Sequence, residues 1–338
     1  SPTLVFEHPT ARSISSHIAS TLESIAQSVP VFNAVQRPVV HASQPNLDVG
    51  LHTVVSRWPG EVSSDASIHA LLSAAGDAII PVPAQRWQLQ ALPGLAEFGG
   101  FIAAPQCFAA SSFALAPAEV EAMDPQQRWL LEVAYKALHC TGQRRETVAG
   151  SDSGAFIGIE HLDWQLLQAL RTSKTATQRL SLYAASGEQP HVATGRLAFL
   201  LDLRGPGMSI NTACSSALVA VHSSSSAVRQ MECSRALAGA VKAILLPFGV
   251  GGGITAVDGR SKTFDARADG YGRSEAVAAT TVDASSGSST SLAGSGVRAG
   301  GRGASLTAPN GSAQRALIEQ AVEQSGLTTA QVGGVQPQ

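Results

Sequence analysis

Near the start of the chain, apolar residues recur every three or four positions. Ile14, Ile18, Leu22 and Ile25 would share one helical face, so the spacing predicts an amphipathic helix over residues 10–26 with Thr10 as its cap. The period is then lost: residues 27–46 carry Pro30, Pro38 and Pro45 among polar residues and read as a linker. The best-defined helical pattern covers residues 125–141. Asp124 is placed as its N-cap, Pro125 sits at the first helical position, and Gln127 can complete a capping box. Leu130, Val133, Ala134, Ala137 and Leu138 form the apolar face, and Gly142 supplies the stop. Short apolar runs at Ala155–Ile159 and Ala236–Val241 fit buried parallel strands. A third β-type run (Met208, Ile210) leads through small residues into Ala217–Val221, apolar nearly all round and therefore expected to be a buried helix. Strands alternating with helices predict α/β layers.

Composition agrees with a large buried core, since 44% of the 338 residues are hydrophobic and only 14% are charged. The formal charge of −2 gives no electrostatic case for nucleic acid or an anionic membrane surface. No apolar run approaches a membrane span. Cys107, Cys140, Cys214 and Cys233 show neither paired nor metal-ligand spacing, so a reduced, cytoplasmic setting is the default expectation, with an organelle such as a plastid as the alternative.

Chemistry concentrates at Cys214. It lies at the turn between the third strand and the apolar helix, where unpaired amides and the positive dipole end favour a thiolate. Most lone cysteines are inert core residues, and it is the turn, the small residues and the helix that set this one apart. The helix would hold the sulfur at the bottom of a pocket. Other candidates are weaker. Asp265 to Glu275 is reminiscent of a calcium loop, but Arg267 occupies a ligand position. Gly249–Gly253 lacks the ending of a phosphate loop. Gly294-x-Gly296 runs into more glycines instead of an apolar helix. His222, two turns along the helix from Cys214, reads as a hydrogen-bonded core histidine.

The run Asn211-Thr212-Ala213-Cys214-Ser215-Ser216-Ala217-Leu218-Val219-Ala220-Val221-His222 resembles the active-site segment of β-ketoacyl synthase (ketosynthase) domains of type I polyketide and fatty acid synthases. It departs from their usual pattern at Asn211, Ala217 and Val221. Further motifs match in order: Arg57–Gly60, Glu121–Arg128, Asp258–Asp265 and Leu306–Gly311. The resemblance implies a thiolase-like layered αβαβα fold with its second half truncated. It implies the tail of an acyl carrier domain at 1–26, a linker at 27–46 and a ketosynthase domain at 47–338, incomplete at its C-terminal end. It implies Cys214 as the acyl-accepting nucleophile. No cofactor would be bound directly, because substrates ride on the phosphopantetheine of an acyl carrier domain, and the domain would form a homodimer. Two histidines serve condensation in the family, and the spacing places the first at Gln338. Glutamine can donate a hydrogen bond but cannot shuttle a proton. A non-condensing module that loads or docks acyl carriers is the alternative. The Ser/Gly tract Asp283–Ser291 is shorter than the family's hairpin and reads as a flexible loop.

Overall fold

The computed structural model describes residues 16–17, 19–20, 48–87, 97–160, 163–172, 182–247, 254–284, 288, 290–305 and 308–335. The chain divides into two compact units, residues 1–46 and 47–338. The expected helix over 10–26 and the linker lie almost wholly outside the described residues, which there comprise four helical positions.

Strand β1 (Gly50–Leu51) and strand β2 (Val55–Arg57) open the second unit, followed by helix α1 (Asp65–Ser73) and a hairpin of β3 (Ile79–Pro81) with β4 (Phe98–Gly100). Helices α2 (Pro117–Ala122), α3 (Pro125–Cys140) and α4 (Arg145–Val148) precede strand β5 (Gly154–Ile159). Then come α5 (Asp163–Thr172), α6 (Leu182–Gly187), α7 (His191–Leu201), strand β6 (Gly207–Ile210), helix α8 (Ser216–Arg229) and strand β7 (Arg235–Lys242). Strand β8 (Ala276–Asp283), strand β9 (Thr290–Ser291) and helix α9 (Gly311–Ser325) complete the order.

Among the described residues, the main sheet has seven strands in the order β6-β5-β7-β8-β1-β9, with β2 also paired to β8. β6, β5 and β7 run parallel, with the apolar β5 and β7 at the buried centre, and β8 lies antiparallel to β7. Side chains alternate across the sheet. Ile157, Ile159, Leu237 and Val241 face a core built with Trp129, Leu130, Val133 and Leu138 of α3 and Leu197 and Leu201 of α7. Phe156, Ala236 and Ala238 face the other way, onto Ala220, Ala227 and Val228 of α8. The sheet is thus sandwiched between helices.

α3 begins as its sequence dictates, with Asp124 Oδ1 accepting from Gln126 N at 2.8 Å. The capping box is not closed by Gln127. Gln126 Nε2 donates to Asp124 Oδ2 at 3.1 Å, while Gln127 Nε2 donates to the carbonyls of Ser186, Gly187 and Gln189. A buried side chain beside a neighbouring segment of accepting carbonyls bonds there before it turns back on its own helix. Gly142, at φ +74°, ends the helix in the left-handed conformation that a glycine reaches at no steric cost.

At its two ends, the Asp283–Ser291 tract departs from the expectation of a featureless loop. Asp283 ends β8 as a buried carboxylate that accepts from His52 and Arg235, and Thr290–Ser291 pairs with β1. Polar ion-pair partners and a short edge pairing ordered what low hydrophobicity did not. Residues 285–287 and 289 lie outside the described residues.

Candidate active site

The parallel strands β6, β5 and β7 end on one edge of the sheet, and β6 runs directly into the Cys214 turn. Asn211 Oδ1 accepts from Ala213 N at 3.2 Å. Ser216 Oγ, at the first turn of α8, accepts from Thr212 N at 3.0 Å and donates to Ala213 O at 2.8 Å. Ser215 Oγ donates to Thr212 O. These bonds hold Ala213 at φ +42°, a left-handed conformation that an L side chain adopts at a cost of about 1–2 kcal/mol. A single 3₁₀ turn, Ala213–Ser215, then carries the chain into α8.

Cys214 sits on that turn, and its thiol is exposed. Among the described residues its own backbone N–H meets no acceptor. A thiol and a free amide from one residue therefore share the helix N-terminus, where an anion is favoured. Close approach secures the arrangement from below. A Cβ on Gly158 of β5 would lie 2.9 Å from the carbonyl carbon and oxygen of Ser216, so only glycine lets α8 seat this deeply on the sheet.

The expectation of a buried helix and a pocket-bottom sulfur is corrected. α8 buries Ser216, Ala220, Ser224, Ser225, Ala227 and Val228 on the sheet, whereas Ala217 and Cys214 are exposed and Leu218 is 75% exposed. An apolar helix can bury only the faces its neighbours cover, and among the described residues the sheet covers one.

A polar frame surrounds the same edge. Lys242 donates to Glu160 at 3.1 Å across the ends of β7 and β5. The chain leaving β7 is held by two acids and an amide: Gln126 Oε1 accepts from Ala243 N, Glu275 from Ile244 N, and Asp163 from Leu245 N and Leu246 N. Burial pushes the Asp124 carboxyl up to about 6, against the opposing pull of its Gln126 hydrogen bonds and of Arg128. Burial likewise raises Glu275, opposed by Arg86. Sequence reasoning named neither Asp163 nor Glu275 as part of the site. Each acts on amides more than thirty residues away, and no local pattern marks that.

The remaining sequence candidates separate from the site. His222 Nδ1 shares a 2.9 Å hydrogen bond with Ser295 Oγ, and burial lowers its pKa, with Arg229 adding to the effect. It is hydrogen-bonded as expected, but half-buried and outside the apolar core. The calcium-like loop is neutralised internally: Lys262 bridges Asp258 and Asp269, and Arg267 pairs with Asp265. No group of three or more His, Cys, Asp or Glu residues among the described ones could hold a metal. Gly294 and Gly296 press against α9, where a Cβ would meet Ala321 O at 2.4 Å and Leu317 Cδ1 at 3.0 Å, so these glycines serve helix packing. Gly249–Gly253 and Gln338 lie outside the described residues.

The profile of the β-ketoacyl synthase N-terminal domain matches residues 50–286, and that of the C-terminal domain matches residues 290–338. The chain belongs to the β-ketoacyl synthase family, and its fold is the thiolase-like ketosynthase fold. It is 37% identical over 317 residues to a phenolphthiocerol/phthiocerol polyketide synthase of Mycobacterium tuberculosis, covering 87% of this chain and 14% of that protein. It is 33% identical over 355 residues to an erythronolide synthase of Saccharopolyspora erythraea, covering 98% of this chain and 10% of the relative. The chain therefore spans a small part of these relatives' length. An oxazolomycin ketosynthase domain of Streptomyces albus superposes with a TM-score of 0.77 at 27% identity, over 85% of this chain and 53% of that one. A ketosynthase from module 6 of the bacillaene synthase of Bacillus subtilis gives 0.71 at 26%, over 82% of this chain and 49% of that one.

Proposed function

We propose that Cys214 accepts the growing acyl group in polyketide or fatty acid chain elongation. The Cys214 sulfur attacks the carbonyl carbon of an acyl thioester carried on the phosphopantetheine of an acyl carrier domain. A new C–S bond forms, the carrier's C–S bond breaks, and the departing thiolate takes up the proton that Cys214 released. The Cys214 N–H is placed to stabilise the oxyanion of the tetrahedral intermediate. The observation that carries this reading is the pairing of an exposed thiol with an unaccepted amide on one residue at a helix N-terminus. Incubation with an acyl-carrier thioester, followed by peptide mass spectrometry, should place the acyl adduct on Cys214 and on none of Cys107, Cys140 or Cys233. Retention of the adduct in Cys214→Ala would overturn the reading.

Condensation is the step we expect to be impaired. In complete family members, decarboxylation of a malonyl-type extender gives an enolate that attacks the acyl thioester, and histidines stabilise it. Gln338 stands where the resemblance places the first of them. Loss of one such donor lowers a rate by a factor of about 100–1,000. Malonyl-carrier added to the acylated protein should therefore give little β-ketoacyl product, and Gln338→His should raise it. Equal yields from the two proteins would refute this part.

We also propose a homodimer through the β6 side of the sheet. Among the described residues β6 is a terminal strand, and Met208 on it and Phe199 on α7 are exposed, the latter by 84%. Exposed large apolar side chains of this kind mark contact surfaces. Sedimentation should show a dimer that Phe199→Glu with Met208→Glu converts to monomer.

A further inference from the structure

β6 delivers the nucleophile turn, yet among the described residues it has a strand neighbour on one side only. It is also met by α7, and one α7 residue engages three consecutive positions of the strand. Thr194, 4% exposed, lays its methyl against Gly207, where a Cβ would come within 3.1 Å of Cγ2. Its hydroxyl donates to Met208 O at 3.0 Å and shares a 2.8 Å bond with Ser209 Oγ. A hydroxyl has one proton and two lone pairs, so Thr194 gives its proton to the Met208 carbonyl and accepts from Ser209. Ser209 Oγ also lies 3.4 Å from His191 O.

The helix that carries Thr194 is itself held. Arg196, two residues further along α7 and buried, donates Nε to Gln127 Oε1 at 2.8 Å, Nη1 to Glu119, and Nη2 to Ser186 Oγ at 3.3 Å. Gln127 in turn fixes the carbonyls of residues 186, 187 and 189. α7 is therefore bonded to α2 and α3 through Arg196 and to the strand that leads into the Cys214 turn through Thr194. A helix bonded on both sides in this way has little slack, because a shift would cost each buried group a partner.

We propose that Thr194 is a positioning residue for Cys214, which rests on the reading of Cys214 as the acyl acceptor. Ser209 is followed by Ile210 and then by the braced turn, so a shift of β6 at Ser209 passes straight into Asn211–Cys214. A misplacement of about 1 Å in a reacting group can cost about 100-fold in rate. The two functions of the side chain can be separated. Thr194→Val keeps the shape but takes the Thr194 partner from the Met208 carbonyl and leaves the Ser209 hydroxyl only its 3.4 Å contact with His191 O. Thr194→Ser keeps the hydroxyl and loses only the methyl.

Two measurements on the full chain decide the matter: acylation of Cys214 by an acyl-carrier thioester, and hydrogen exchange of amides 208–214 against those of β5. We expect Thr194→Val to slow acylation and to speed exchange in 208–214, each at least about tenfold, with β5 unchanged. Thr194→Ser should stay within about threefold in both, which a merely space-filling role would not allow. Parent-like values for Thr194→Val, or equal damage in the two variants, would overturn the proposal. If the parent takes up no acyl group but exchange still responds to Thr194→Val alone, Cys214 as acyl acceptor falls and the positioning of the turn stands. Should Thr194→Val fail to fold, Ser209→Ala removes the other half of the clasp. Faster exchange at 208–214 in that variant supports the proposal, and unchanged exchange overturns it.

Discussion

Ala213 shows how much of the site is decided at single residues. It holds a left-handed φ without being glycine, and it does so because Asn211 and Ser216 occupy its amide and carbonyl. Adding β-branching there should raise the cost, so Ala213→Val is expected to destabilise the protein by about 1–2 kcal/mol in urea unfolding, whereas Ala213→Gly should lose no stability. Equal effects of the two substitutions would mean the backbone is not strained as described. The asparagine also differs from the family's usual aspartate while keeping the acceptor oxygen. Asn211→Asp puts a carboxylate three residues before Cys214 on the same turn, and an anion near the thiol disfavours a second one. Iodoacetamide labelling of Cys214 at neutral pH should then slow, and faster labelling would contradict the electrostatic argument. Cys214 and its turn were legible in the sequence because strand, small residues and helix follow one another locally. Thr194 was not, since its partners on β6 come from a different element and a threonine within an apolar helix pattern carries no mark of its contacts.

At the scale of elements, α3 followed its pattern almost residue for residue, from Asp124 to Gly142. Its cap has a consequence that the pattern does not reveal. Asp124 is buried, and its carboxyl titrates at about 6 in the fold against about 3.9 in an unfolded chain. A carboxyl raised in this way favours folding fully below the unfolded value, and that contribution is lost as pH rises through the folded one. Relative to Asp124→Asn, which keeps an acceptor for Gln126 N and does not ionise, the parent should lose up to about 3 kcal/mol between pH 4 and pH 7. Unfolding of both proteins across that range measures it, and a difference independent of pH would rule out a buried titrating cap. α8 was the less legible helix. Its apolar composition suggested burial all round, but composition cannot say which faces find a neighbour, and Leu218 stays in solvent. The ends of the Asp283–Ser291 tract were misjudged for the complementary reason: Asp283 is ordered by His52 and Arg235, which lie 231 and 48 residues away.

Across the whole second unit, one buried ion pair ties together segments that no local pattern connects. Glu275, just before β8 and 0% exposed, accepts from Arg86 Nη2 at 2.7 Å, from Ile102 N at 2.8 Å and from Ile244 N at 2.8 Å. Arg86 also donates to the carbonyls of Ile102 and Ile244. The chain after β3, after β4, after β7 and before β8 thus meets at one carboxylate, on the edge of the sheet that carries Cys214. Layers and strands could be read from periodicity, but this closure could not, because its strength comes from pairing across the fold. A buried pair is weak evidence of net stabilisation, since desolvating both charges offsets much of their attraction, yet losing one partner leaves a bare charge in the interior. Arg86→Met should therefore cost about 3–5 kcal/mol at neutral pH. Burial already raises the Glu275 carboxyl, and Arg86 is the cation that opposes that rise. The sign follows: a raised carboxyl is tolerated when protonated and penalised when ionised, so the cost of Arg86→Met should shrink as pH falls towards 5 and grow towards 8. Adding Glu275→Gln to Arg86→Met should recover part of the loss at pH 8 and little at pH 5. Urea unfolding of the three proteins at both pH values is the measurement. A penalty for Arg86→Met that is the same at pH 5 and pH 8 would show that lost packing, and not the stranded carboxylate, is what the arginine prevents.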